Sequence, residues 1–94
     1  MTPQHILQKT RRELGMKLSQ MAEALDTSNQ RVSQWENGDS IPIERIKAWA
    51  TEERFNQEWI RYMAWQMWFA YIKRAHTALG EQMQELQHAI PIEI

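Results

Sequence analysis

Between Leu18 and Gly38 two short helical patterns stand only three residues apart. The first carries Leu18, Met21, Ala22 and Leu25 on one face and is signalled by Ser19, with Glu23 close behind. That spacing is four rather than three, so the pair is not a strict capping box. The link is Asp26-Thr27-Ser28, a turn whose side chains suit the cap of the next helix. The second pattern runs from about Asn29 to Asn37, with Val32 and Trp35 facing inward and Gly38 closing it. Strand-like alternation occurs only in the last five residues, Ile90-Pro91-Ile92-Glu93-Ile94, so the periodicity predicts an all-α fold.

Two further helices flank this pair. One starts at Pro3, where proline suits the first turn and Thr2 caps it. Ile6, Leu7 and Leu14 form its apolar face, and Gly15 is placed to end it. The other begins near Pro42 and carries Ile43, Ile46 and Trp49 at three-residue spacing. The chain divides near residues 51–55, giving an N-terminal unit over 1–53 and a C-terminal helical segment over 54–94.

The stretch Leu18 to Gly38 resembles the Xre/Cro-type helix-turn-helix family, which includes many phage repressors. The resemblance covers roughly residues 3–50. It rests on Leu18-Ser19-Gln20 opening the first helix, Ala22 at a close helix crossing, Val32 buried in the second, and Trp35-Glu36-Asn37-Gly38 closing it. Two departures are small. Gly15-Met16-Lys17 is a somewhat long connector, and Asp26 stands where glycine is common, a position aspartate tolerates. The implied fold is a five-helix, phage-repressor-like helix-turn-helix domain with a long C-terminal aromatic helix and a short tail.

The implied partner is double-stranded DNA. A helix fits the major groove, and its N-terminal end and exposed face reach base edges. With Val32 and Trp35 turned inward, Asn29, Gln30, Arg31, Ser33 and Gln34 are left outward. Matched onto the family pattern, Asn29, Gln30 and Gln34 sit at base-reading positions with Ser33 between them, and Arg31 reads a base or holds a phosphate. Gln and Asn suit adenine and Arg suits guanine. A merely solvated polar face has the same composition; the helix-turn-helix context decides between them. Gln20, Lys17, Ser28 and Asn37 are the expected phosphate contacts. The family also pairs an arginine of the first helix with the glutamate closing the recognition helix. Arg11 and Glu36 occupy those places, with Arg12 as the alternative if the register is one residue off.

Charge limits how such a domain holds DNA. The whole chain has a formal net charge of −1, so binding through bulk charge alone is excluded. Residues 1–50 carry seven Lys/Arg against six acids, a net of +1. Tight binding must then come from base contacts and from doubling the site by dimerisation.

From Phe55 the pattern is helical for some 25 residues. Apolar residues between Trp59 and Ile72 cover most of the circumference, the signature of a helix buried on all sides. A domain of about 50 residues covers one side only. The rest calls for a second copy, a partner protein or a folded-back tail. A homodimer is the favoured reading, with Trp59, Tyr62, Met63, Trp65, Trp68, Phe69 and Ile72 as its interface. Gly80 invites a break, followed by a short helix over Glu81 to Ala89 using Met83, Leu86 and Ala89, and an apolar tail from Ile90. The competing reading is an antitoxin-like module whose aromatic half binds a partner protein.

Other chemistries find no residues. With no cysteine, thiol catalysis, disulfides and cysteine zinc sites are excluded. His5, His76 and His88 have no second ligand at metal spacing. Glu52-Glu53 reads as charge compensation at a helix boundary, and three glycines make no phosphate loop. The expectation is a non-enzyme without metal or cofactor. The N-terminus lacks a basic start followed by an apolar run, and Trp59 to Ile72 is too short to span a bilayer. The expected setting is cytoplasmic, as a repressor of phage, prophage or mobile-element origin that often controls its own operon.

Overall fold

The computed structural model describes the backbone of residues 1–89, and side chains through residue 73. Five α-helices follow in order: α1 Pro3–Glu13, α2 Leu18–Ala24, α3 Asn29–Glu36, α4 Ile43–Thr51 and α5 Glu58–Ala89, with a 3-10 turn over Glu53–Phe55 before α5. Among the described residues there is no strand. The all-α, five-helix expectation is met.

The first three helices end in the same way. After each, one residue adopts a left-handed backbone: Gly15 at φ +64°, Asp26 at φ +54° and Gly38 at φ +111°. The next amide then reaches back five residues, as in Met16 N–H to the Arg11 carbonyl, Thr27 to Ala22 and Asp39 to Gln34, at 3.0, 2.9 and 3.0 Å. This is the Schellman closure, which satisfies carbonyls a helix end otherwise leaves bare. It turns the chain sharply enough for the seven-residue α2 and the eight-residue α3 to pack on one another. Asp26 does here what glycine does at the other two ends, as its short polar side chain allows.

The starts of the helices are also specified locally. Thr2 Oγ1 accepts from His5 N–H at 3.2 Å and caps α1, and Ser28 Oγ accepts from Arg31 N–H at 3.2 Å and caps α3. For α2 the expected signal at Ser19 is not the device used. Lys17 is the cap residue, and Gln20 reaches back so that its Oε1 accepts from Lys17 N–H at 2.8 Å. Gln20 sits at the third helical position, where the reciprocal half of a capping box belongs.

One core unites the elements. Leu7, Met21, Leu25, Val32, Ile41, Ile46, Trp49, Ile60, Met63 and Met67 are fully buried in it. α5 packs against α1 and α4, and α3 packs against α1 and α2. α5 therefore closes the core over α1 and α4.

Four expectations are corrected. Leu14 is exposed, because α1 ends at Glu13 and Leu14 is already its C-cap. Phe55 belongs to the 3-10 turn, and α5 starts three residues later at Glu58. Gly80 does not break α5, which runs through it to Ala89; a helical glycine costs only about 1 kcal/mol relative to alanine, and helix formers surround this one. Finally, α5 is not buried all round. Met63, expected at a dimer interface, lies with Ile60, Ala64 and Met67 inside this chain's own core. Trp59 and Trp68 are half-buried against that core, while Tyr62, Trp65, Phe69, Tyr71 and Ile72 are exposed. The contacts expected of His76, Met83, Leu86, His88 and Ala89, and of the tail 90–94, lie outside the described side chains.

Candidate nucleic-acid interface

α3 carries two faces with different tasks. Val32 and Trp35 are buried, and Asn29, Gln30, Arg31 and Gln34 are exposed, with Ser33 half-buried between them. The spacing does this unaided: 32 and 35 stack on one side of a 3.6-residue helix, leaving the polar residues on the other.

The inner face is braced from three directions. Trp35 meets Trp49 of α4 edge to face, with ring centroids 5.7 Å apart and planes at 72°. Trp49 in turn donates from Nε1 to the Leu25 carbonyl at 3.1 Å, tying α4 to the end of α2. The Arg45 guanidinium lies 6.0 Å from the Trp35 ring centre. The third brace is the ion pair. Arg11 Nη2 donates to Glu36 Oε1 at 2.8 Å and Arg11 Nε to Oε2 at 2.9 Å, a two-pronged contact between α1 and the end of α3. Arg11 Nη1 also donates to the Met16 carbonyl at 3.1 Å. The Glu36 side chain is 7% exposed and that of Arg11 20%. The hydrogen bonds to Glu36 hold the Arg11 guanidinium above its ordinary range, against a smaller opposing effect of burial. Arg12 is exposed and plays no part in the pair.

The flanking polar residues are also placed. Gln20, Lys17, Ser28 and Asn37 are all exposed. The Gln20 amide oxygen is committed to Lys17 N–H, which leaves its NH2 group as a fixed donor. Ser28 accepts from Arg31 N–H through its oxygen and keeps its hydroxyl proton to donate. Both residues thus present hydrogen-bond donors, which is what a phosphate oxygen needs.

The turn between α2 and α3 is tied from outside by residues that motif reading does not reach. Arg54 Nη1 contacts Asp26 Oδ2 at 2.6 Å and Arg54 Nε contacts Glu52 Oε2 at 2.6 Å, while Arg45 Nη1 donates to the Asp26 carbonyl at 3.3 Å. Arg54 belongs to the segment after α4, so no spacing rule links it to the turn. Trp49 was legible only as a core residue. The signal for its second role is that a buried indole N–H requires an acceptor.

The class of molecule follows from this geometry: a helix-turn-helix domain whose second helix is bare on one face and locked on the other. Residues 7–52 match the family model described as Helix-turn-helix, and this domain belongs to that family, the Xre/Cro type. No curated protein and no solved structure matches the chain. The family is one of DNA-binding transcription regulators, not of enzymes, and that is what this protein is. Among the described residues no helix is long and apolar enough to cross a membrane.

Proposed function

We propose that this regulator is a dimeric repressor that binds a palindromic operator, with residues 1–53 reading DNA and residues 54–94 holding two copies together. One observation carries the reading: four polar side chains, Asn29, Gln30, Arg31 and Gln34, stand exposed on a helix whose other face is fixed by Trp35 and Glu36. Two such helices enter successive major grooves about 34 Å apart when the copies are related by a two-fold axis. Gln20, Lys17, Ser28 and Asn37 hold backbone phosphates on either side. Bound over a promoter, the dimer excludes polymerase, and its own promoter is a natural target.

The test is selection of bound sites from a random double-stranded DNA library, with the mass in solution measured alongside. An inverted repeat bound by a dimer supports the proposal. Within it, Gln30→Ala and Gln34→Ala each cost about 1–3 kcal/mol and relax preference at one base position, whereas Gln20→Ala weakens all sequences alike. Uniform weakening by Gln30→Ala and Gln34→Ala removes them as readers. The exposed aromatics Tyr62, Trp65 and Phe69 favour one other reading, an antitoxin-like chain that caps a partner protein. A folded protein that enriches no sequence would move the search to that partner.

A further inference from the structure

Where α1 lies on α5 the two helices leave a groove of about 570 Å3. Ile6, Lys9, Glu13 and Leu14 of α1 form one wall, and Tyr62 and Phe69 stand on the other. Leu14, Tyr62 and Phe69 are exposed there. Trp65 does not line the groove. It stands one step further round α5, beyond the Tyr62 and Phe69 rim, and is 51% exposed. Its ring is nevertheless held. It lies flat against Trp68, with centroids 5.4 Å apart and planes at 9°. Trp68 is half-buried against the core, and the Lys47 ammonium of α4 lies 5.4 Å from its ring centre. A groove and a braced aromatic knob thus sit side by side on one surface.

We propose that Trp65 of each copy seats in the α1–α5 groove of a second copy, the two related by a two-fold axis. This rests on the dimer reading above and adds its anchor and its receptor, bringing α1 into the interface. Area sets the size of the occupant. Met1, Leu14, Tyr62, Trp65, Phe69 and Ile72 together expose roughly 400–650 Å2 of apolar surface, from their exposed fractions and the area each type buries. One partner's half of a standard interface is about 800 Å2, of which about 450 Å2 is apolar. A small molecule filling the groove leaves Trp65 and Ile72 in water, because neither lines it. Shape and charge select a second copy. A two-fold interface must complement itself, and a knob beside a groove does so. The groove carries both signs, with Lys9 and Glu13 3.9 Å apart on α1 and Lys73 on α5, so it meets its own mixture without a block of like charge. Trp is the residue most suited to such an anchor, and one already held by a stacked neighbour loses little freedom on docking. The site also leaves DNA reading open. Ile6, Lys9 and Glu13 lie about 180° round α1 from Gln4 and Arg11, which bond to Asp39 and Glu36 at the end of α3.

The experiment measures dimer dissociation by native mass for the full chain, for Trp65→Ala, for Leu14→Glu and for an equal mixture of the two variants. One change removes the knob and the other sets a charge in the groove, on a different helix. Neither residue is in the core, so both variants keep a cooperative melt. The expected parent is a dimer. Each variant weakens it about 30-fold per contact, or about 1000-fold for the two contacts of a dimer. The mixture restores one intact Trp65 in one intact groove, so the mixed dimer is about 30-fold tighter than either variant with itself. A parent dimer untouched by Trp65→Ala overturns the anchor and leaves the dimer reading standing. A dimer weakened by Trp65→Ala but not by Leu14→Glu overturns the groove as receptor, and a mixture no tighter than the separate variants overturns the reciprocal contact. A monomeric parent chain overturns the dimer reading and this pairing together, and leaves the surface to a different protein.

Discussion

Replacing Arg11 by methionine isolates the ion pair behind α3. Methionine matches the stem of arginine and removes the guanidinium. The change strips Glu36 of both its short contacts and leaves the Met16 carbonyl without its donor. The stranded carboxylate has a side chain only 7% exposed, so water cannot replace what is lost. Breaking such a pair from one side costs about 3–5 kcal/mol. The value belongs at the lower end, about 3 kcal/mol, because the 20% exposure of Arg11 admits some solvent from its side. A domain of this size has a total stability of roughly 5–14 kcal/mol, so this is a large share. With a urea slope of about 1–1.5 kcal/mol per molar, the unfolding midpoint falls by about 2–3 M. The double variant Arg11→Met with Glu36→Leu removes both charges and recovers much of the loss. A single-variant loss under about 1 kcal/mol, the level of a surface pair, would refute the reasoning. So would a double variant no better than the single. Alkaline pH does not imitate the mutation. The folded pKa of Arg11 is raised, so its contribution is fully present below the unfolded value and is lost only as pH rises through the folded one, beyond any working range.

The remaining predictions concern the helix ends, the two faces of α5 and the salt dependence. Asp26→Gly relieves a left-handed non-glycine residue but gives up an exposed contact to Arg54, so thermal melts should move by less than about 1 kcal/mol, whereas the β-branched Asp26→Val should destabilise by about 1–3 kcal/mol. Met63→Ala opens a cavity in the core and should cost about 2–5 kcal/mol by urea titration; Phe69→Ala, on the opposite face, should leave the stability of the separated chain within about 0.5 kcal/mol. Operator affinity should fall with salt along a shallow slope. Lys17 and Arg31 are the exposed cations among the proposed DNA contacts, two per copy, so log K against log salt should be no steeper than about −4 for a dimer. A slope near −10 would mean that bulk charge, not base contacts, holds the DNA.

What the sequence makes legible is whatever is encoded over short distances. The split of α3 into Val32 and Trp35 within and Asn29 to Gln34 without follows from period alone. The left-handed Asp26 and the closing glycines are local backbone requirements, visible as residue types at helix ends. The Arg11–Glu36 pair spans 25 residues and came only through resemblance to a family. Distances across the fold were otherwise out of reach. Arg54 bonded to Asp26 is 28 residues away, and Trp49 bonded to Leu25 is 24 away. The reading of α5 failed for a related reason. Its two apolar stripes are both genuine, but periodicity does not say which of them the domain covers. Met63 belongs to the covered one and Tyr62, its neighbour, to the other. Gly80 was misleading because a single weak residue does not outweigh helix formers on both sides.

In the proposed dimer the two faces of this molecule are coupled through affinity. An N-terminal unit with a net charge of +1 over residues 1–50 draws little from the phosphate backbone, so one copy alone binds weakly. Joining two copies makes the second binding event intramolecular, and that gain reaches about 100- to 10,000-fold without a new contact to DNA. In such a design the dissociation constant of the α5 pair sets operator occupancy as directly as the residues on α3 do. Well below that concentration the dimer, and with it occupancy, rises with the square of chain concentration; well above it the rise is only proportional. A protein that controls its own promoter this way has a threshold built into its C-terminal helix.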